Sequence, residues 1–223
     1  MNLSLSYAGI CPNDRKDLFC IPPEKILNSE MTINEFFNIP IKIFNLYKKD
    51  FDQLPYPVTL NAQWESPYFG AGVSLYENSY KLMVLGGMTR MPEMTLDAYA
   101  AIICHEIGHI IGGEPKQTIP IADWASAEGQ ADFFSASTCL PKYFKSEGMI
   151  DSELIQKRVE KAGYEFIHIA SVIESVPKNK ILKREAIKLP KVSETITNIY
   201  PTLQCRYETY RNPIKRSSCW FKE

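Results

Sequence analysis

The spacing of hydrophobic and polar residues along the chain predicts five helices. They are expected over residues 32–47, from residue 95 or 97 to residue 111, and over residues 124–140, 151–176 and 201–211. The first begins at Thr32 with the spacing of a capping box, and Pro40 is expected to kink or split it. Glycines at positions 112 and 113 predict the end of the second helix, and Pro141 predicts the end of the third.

Three shorter runs, at residues 58–64, 72–76 and 80–85, have the character of strands, and residues 77–79 form a hairpin turn between the last two. Residues 1–30 predict an irregular lead-in, and residues 178–191 predict a solvated connector. Because no repeat or long linker divides the chain, we expect one α+β domain over residues 1–223, mostly helical with a small mixed β-sheet. Residues 32–140 would carry the sheet and its neighbouring helices, and residues 151–211 would carry the C-terminal helices.

Composition excludes several classes of protein. The 223 residues are 45% hydrophobic and 23% charged, which is ordinary for a globular fold. With 25 basic and 26 acidic residues the net charge is -1, so we expect no nucleic-acid partner. No run approaches the roughly 20 apolar residues of a membrane-spanning helix. The first residues also lack the basic and apolar regions of a signal peptide.

Six cysteines lie outside the Cys-x-x-Cys spacing of structural zinc sites. Their 15 possible pairings cannot be separated by sequence. Short separations would let Cys11 pair with Cys20 and Cys205 with Cys219, which leaves Cys104 and Cys139 as a possible link between two helices; the alternative is six reduced thiols. Disulfides would indicate an exported protein, periplasmic or secreted, whose signal segment is not in this sequence, and a cytoplasmic protein is the alternative.

Residues 105–109, His-Glu-Ile-Gly-His, form an HExxH motif inside the second predicted helix. Residues four apart share a helical face, so His105 and His109 can bind one metal ion. Glu106 lies beside the first histidine, where its carboxylate can take a proton from a water bound to zinc. The alternative is a pair of ordinary surface or core histidines.

A catalytic zinc site needs a third protein ligand. Glu128 and Asp132, again four residues apart, lie on the next predicted helix among small residues that permit close packing. We expect Glu128 to bind the metal and Asp132 to accept the outer N–H of His105. Solvated carboxylates are the alternative for both, and Glu114 and Asp123 are competing acidic ligands.

The HEIGH motif followed by Glu-x-x-Ala-Asp resembles the gluzincin metallopeptidases, in particular the HtpX-like and CAAX prenyl-protease family. The Leu-Gly-Gly-Met turn at residues 85–88 and the helix after it are also similar to that family. The resemblance spans roughly residues 58–211 and implies a zincin-like fold with its sheet packed on the metal-binding helix. The membrane helices of the best-known members are absent, so their membrane substrates are not implied.

The family also carries a His-Pro pair with an arginine six positions after the histidine, both near the metal. Here Pro201 and Arg206 keep that spacing, while Tyr200 replaces the histidine. Arg206 is expected to stabilise the oxyanion, orient substrate or brace Glu128, and Tyr200 to donate a hydrogen bond to the oxyanion. A helix-capping arginine and a packed tyrosine are the structural alternatives.

Two further residues are expected to lie outside the catalytic group. His168 stands among apolar residues, where a satisfied core histidine is commoner than a metal ligand. Cys104 precedes His105 but points about 100° away from it on a helix, which favours packing or a disulfide. Peptide substrates of zinc peptidases commonly add a strand to a sheet edge, and residues 80–85 are the expected edge, with an internal strand as the alternative.

Together these features predict a soluble zinc-dependent endopeptidase with one catalytic zinc ion and a peptide or protein substrate. The alternative from another class is a binding module that is stabilised by zinc and has lost turnover. A third hypothesis is a helical interaction domain without metal, in which the motif is a coincidence. No feature of the sequence indicates an oligomeric state.

Overall fold

The computed structural model describes residues 20–25, 31–174 and 188–223, which form an α+β fold that is mostly helical with a small mixed sheet. The helices are α1 Ile33–Leu46, α2 Lys48–Phe51, α3 Gly86–Thr89, α4 Leu96–Ile111, α5 Glu128–Phe134, α6 Leu140–Ser146, α7 Ser152–Ile173 and α8 Leu203–Arg211. A π-helical turn, Ser135–Cys139, joins α5 to α6. The strands are β1 Val58–Gln63, β2 Ala71–Tyr76 and β3 Ser79–Leu85.

Four of the described helices begin at side chains that cap them, namely α1, α4, α7 and α8. The Oγ1 of Thr32 accepts a hydrogen bond from the Glu35 amide, and Thr95 does the same for the Ala98 amide. Asp151 accepts two amide hydrogen bonds at the start of α7. The start of α4 is therefore set by Thr95, and α1 continues through Pro40 without being split.

The helix predicted over residues 124–140 begins and ends elsewhere. Residues 125–127 instead form backbone hydrogen bonds with the loop at 115–117, which hold them extended, so α5 begins only at Glu128. Pro141 does not end the helical run, because it lies in the first turn of α6, where its missing N–H is not needed. The last helix, predicted to begin at Pro201, begins at Leu203 instead, because Thr202 caps it.

The sheet has the strand order β1-β3-β2. β3 pairs with β1 in parallel and with β2 in antiparallel register, and the β2–β3 turn places Glu77 and Asn78 at positive φ, as in a type I′ hairpin. The expectation that residues 80–85 form the edge strand is therefore wrong. β3 is the central strand, because it pairs with β2 on one side and with β1 on the other.

Helix α4 lies at the centre of the fold and is buried from Ala98 to Ile110. Strands β2 and β3 and helices α1, α5 and α7 pack around it. An apolar surface on all sides is expected for a helix enclosed in this way. At its N-terminal half, the hydroxyl of fully buried Tyr99 donates to the carbonyl of Phe36 in α1. None of the described helices combines the length and the apolar character needed to cross a membrane.

Helices α4 and α5 approach each other closely at Gly108. A Cβ placed on Gly108 would lie 2.9 Å from both the Cα and the carbonyl oxygen of Ala131. Because these atoms belong to backbone, neither can rotate away. The absence of a side chain at Gly108 therefore sets how near the metal-binding face of α4 lies to Glu128.

We expect Gly108→Ala to destabilise the metal-free protein by about 1–3 kcal/mol, the usual range for overpacking a tight interface. Alanine favours a helix interior over glycine by about 1 kcal/mol, so a stabilised variant would show that the helices separate freely. Urea denaturation measures the difference. Lys157→Ala on the exposed side of α7 is the control, with an expected change within about 0.5 kcal/mol.

Candidate metal centre

His105 and His109 point their Nε2 atoms at one another from successive turns of α4. The two atoms are 3.1 Å apart, and both side chains are buried. The Nδ1 of His109 lies 2.8 Å from the carbonyl oxygen of Ser126, which can only accept a hydrogen bond. Nδ1 therefore carries the hydrogen, and the Nε2 of His109 presents its lone pair to the centre.

Glu128 joins the two histidines from the first turn of α5. Its Oε2 lies 3.2 Å from Nε2 of His105 and 3.6 Å from Nε2 of His109. The three atoms can hold a metal ion. Donors bound at about 2.1 Å to a tetrahedral zinc ion are roughly 3.4 Å apart, so these separations fit that ion and the ligand types fit it too.

Asp132 lies one turn further along α5, on the outer side of His105. Its Oδ1 is 2.8 Å from Nδ1 of His105, and the Asp132 side chain has no exposed surface. Burial raises the pKa of this carboxyl, but Arg206 and His105 outweigh burial and lower it to about 2. Asp132 therefore stays ionised and orients the His105 ring, as outer partners of metal-bound histidines do.

Arg206 binds Asp132 rather than Glu128. Its Nε and Nη2 donate to the two carboxylate oxygens at 2.7 and 2.9 Å, in the paired geometry that guanidinium groups favour. The hydroxyl of Tyr210 donates to Oδ1 of the same aspartate at 3.4 Å. The sequence offers no signal for this contact of Tyr210, nor for the contact of the Ser126 carbonyl with His109.

The two histidines differ in pKa although they stand one helical turn apart. Burial lowers the pKa of His105, but Asp132 and Glu128 together raise it to about 9. Burial also lowers the pKa of His109, and there it dominates, so the pKa falls to about 4. In the metal-free protein the proton that competes with a metal ion at neutral pH therefore lies on His105.

Glu106 is buried beside His105, and its Oε2 forms no hydrogen bond with any described residue. Burial is the largest cause that raises the pKa of this carboxyl, to about 7. A carboxyl with this pKa can both take up and release a proton near neutral pH. Glu106 also lines a cleft.

This cleft has a volume of about 60 Å³. Its polar lining residues are His105, Glu106, Glu174, Tyr200 and Arg206, of which Tyr200 is 40% exposed. Arg206 stacks over the Tyr200 ring at 5.1 Å. Apolar side chains form the remaining wall: Phe69, Ala71, Met88, Ile102, Phe166, Ile169, Ala170 and Ile173.

The other candidates lie outside this group. His168 is partly buried on α7 and stacks on Tyr164, with the ring centroids 6.5 Å apart. Neither Glu114 nor Asp123 belongs to the metal-binding group, and Glu114 accepts a hydrogen bond from the Lys116 amide instead.

Two of the three expected disulfides are present. Cys104 pairs with Cys139, and Cys205 pairs with Cys219. Cys20 is also disulfide-bonded, but its expected partner, Cys11, lies outside the described residues. Disulfides of this kind are typical of proteins from oxidising compartments.

Comparisons of the chain with models of known protein families, with curated proteins and with solved structures found no match. The resemblance to HtpX-like peptidases therefore stays a prediction. The capacity for a metal ion follows instead from the convergence of three ligand atoms from two helices.

We expect nuclear magnetic resonance of the metal-free protein to separate the histidines. With only three in the chain, His168→Gln leaves two ring signals, one titrating near pH 9 and one staying neutral down to about pH 4. Because protons compete with the metal at His105, zinc affinity should rise as the pH rises from 7 to 9. Two signals that both titrate near pH 6.5 would contradict the arrangement around Asp132.

Asp132→Asn should weaken zinc binding about 10- to 100-fold, because it removes the charge that orients His105. Asp97→Asn is a matched control, since Asp97 also binds an arginine, Arg158, at 2.7 and 2.9 Å, but at the opposite end of α4. Both variants should lose stability, whereas only the first should lose zinc affinity. Competition with a chromogenic chelator measures that affinity, and equal losses would reject the role of Asp132.

Proposed function

We propose that this protein is a zinc-dependent endopeptidase of the gluzincin type, similar to the HtpX-like and CAAX prenyl-protease family. His105, His109 and Glu128 would hold the ion. The observation that carries the proposal is the position of Glu106, which is buried beside a metal ligand and faces the cleft. A site that only stabilises a fold normally fills all four metal positions with protein ligands and needs no such carboxylate.

Zinc, when bound, would polarise the peptide carbonyl and make a water molecule acidic. Glu106 would accept the proton of that water and pass it to the leaving amine. Its raised pKa, about 7, suits a group that must take up a proton and then release it. Burial of Glu106 keeps bulk water from replacing the carboxylate in this transfer.

Arg206 and Tyr200 would act at different distances from the reacting carbonyl. Arg206 already binds both oxygens of Asp132, so we assign it to positioning His105 through that aspartate. Tyr200 is the more exposed of the two and lies in the cleft, so its hydroxyl would donate to the carbonyl oxygen as negative charge develops there. The stacking of Arg206 on the Tyr200 ring would hold the tyrosine in place.

The substrate would bind along β2 instead of β3. β2 is an edge strand of the described sheet, and Ala71 at its start lines the cleft. An extended peptide that hydrogen bonds to this edge would carry its scissile bond past Glu106. The disulfides support the further proposal that the protein acts outside the cytoplasm, in the periplasm or as a secreted protein.

Glu106→Gln should retain zinc and lower the rate of peptide cleavage by about 10²- to 10⁴-fold, the usual contribution of a general base. Glutamine keeps the size of the side chain but cannot accept the proton. The measurements are zinc content and the cleavage of casein and of a peptide library. Glu114→Gln makes the same chemical change on an exposed loop and should leave both unchanged.

Each result separates the hypotheses. Unchanged cleavage by Glu106→Gln would overturn the mechanism. Zinc binding without cleavage by the unaltered protein would favour a zinc-stabilised binding module. Purified protein that binds no zinc would favour a helical interaction domain.

A further inference from the structure

The C-terminal tail, residues 212–223, packs against the helix that carries Glu128. Trp220 is fully buried, and its indole N–H donates to Thr209 of α8. A Cβ on Gly129 would lie 2.4 Å from the Trp220 ring, so the ring rests directly on the backbone of α5. The residue next to a metal ligand is thus covered by the tail.

Arg216 of the tail contacts Gln130, in the same helical turn as Gly129. Its Nε donates to the side-chain oxygen of Gln130 at 2.7 Å, and its Nη2 donates to the carbonyl of Glu114 at 2.8 Å. Glu128 is the first residue of α5, and Ala127 before it provides no side-chain cap. An uncapped helix end frays readily, so the contacts at positions 129 and 130 add to the backbone hydrogen bonds of residues 125–127 in holding Glu128 in place.

The tail is held to α8 by the Cys205–Cys219 disulfide. Cys205, Cys219 and Trp220 form a small buried cluster, separate from the main core. The disulfide also stands next to Arg206, which binds Asp132. Breaking it would remove the covalent link between α8, which binds Asp132 through Arg206, and the tail that packs on Gly129.

A cavity of about 310 Å³ reaches Cys219 from the surface. Its charged lining residues are Lys188, Lys191, Lys215, Arg216, Glu208 and Glu223. Both acids have basic partners, since Glu208 pairs with Arg211 at 3.2 Å and Glu223 with Lys215 at 3.8 Å. The remaining lining is therefore positive. By contrast, Cys104 and Cys139 have no exposed surface.

We infer that the Cys205–Cys219 disulfide is a redox latch on the metal centre, opened at Cys219 by a small anionic thiol. The thiolate would attack Sγ of Cys219 and form a mixed disulfide, and Cys205 would leave as a thiolate that takes up a proton. A second thiol would attack the small-molecule sulfur of the mixed disulfide and release Cys219. In total, two small-molecule thiols are oxidised to their disulfide, and Cys205 and Cys219 are reduced to thiols.

The latch rests on one part of the proposed function, the binding of a metal ion by His105, His109 and Glu128, and needs no peptidase activity. With the tail released, Glu128 would lose the packing at its helical turn. We expect zinc affinity to fall at least tenfold. The basic side chains at the cavity would attract an anionic thiol more strongly than a neutral or cationic one.

The test treats the zinc-loaded protein with glutathione, 2-mercaptoethanol or cysteamine at equal thiolate concentration. A chromogenic chelator follows zinc release, while alkylation and peptide mass spectrometry identify the reduced cysteines. We expect Cys205 and Cys219 to be labelled before Cys104 and Cys139, fastest with glutathione. Zinc release should follow the labelling of Cys205 and Cys219, whether or not Cys20 is labelled. Retention of zinc with unchanged affinity after this pair is labelled would overturn the latch.

Two sets of variants isolate its parts. Cys205→Ala with Cys219→Ala should bind zinc at least tenfold more weakly, with no response to thiols. Lys188→Glu with Lys191→Glu keeps the disulfide. It should slow reduction by glutathione several-fold but leave the rate of reduction by 2-mercaptoethanol unchanged. Lys157→Glu with Lys161→Glu makes the same charge change on the exposed side of α7 and should have no effect. Equal slowing by both lysine pairs would reject recruitment at the cavity.

The possible outcomes distinguish failure of the latch from failure of the proposed peptidase function. A protein that loses zinc on reduction but cleaves no peptide supports the latch and refutes the proposed function. A protein that cleaves peptides and keeps its zinc on reduction does the reverse. Absence of zinc binding would refute both.

Discussion

The burial of Asp132 is the constraint on which the rest of the site depends. A carboxylate without exposed surface is unfavourable unless every nearby donor compensates for the water it has lost. Here the donors come from two other helices: α8 provides Arg206 and Tyr210, and α4 provides His105. Removing one partner of such a buried pair typically costs about 3–5 kcal/mol, so the three helices are held in one arrangement. The orientation of the His105 ring follows from that arrangement.

The elements of this fold could be predicted where the signal is local. Thr32, Thr95 and Asp151 cap helices at the expected positions, and the three strands lie within about one residue of the runs that predicted them. The order of the strands could not be predicted, because the pairing of β1 with β3 depends on chain segments that no short window includes. The start of α5 was also missed, since its preceding residues form hydrogen bonds with a loop.

A similar division applies to the site. Spacing of four residues is enough to place His105 with His109 and Glu128 with Asp132, because a helix turns residues four apart to one face. The partner of Arg206 was not evident, since it is 74 residues away in sequence and several acids could have served. Both acids are buried, and the hydrogen bonds identify the partner: Arg206 donates to both oxygens of Asp132, whereas Oε2 of Glu128 faces the two histidines. The tail that covers Gly129 had no sequence signal beyond the pairing of Cys205 with Cys219.

The π-helical turn at Ser135–Cys139 has a consequence for helical phase. Phe144 is twelve residues after Asp132, and in an uninterrupted α-helix the two side chains would point about 120° apart. The additional residue of a π-helical turn removes most of that offset, so both halves of the run bury the same side against the core. One inserted residue thus lets one continuous helical segment contribute to the polar metal centre at its start and to the hydrophobic core at its end.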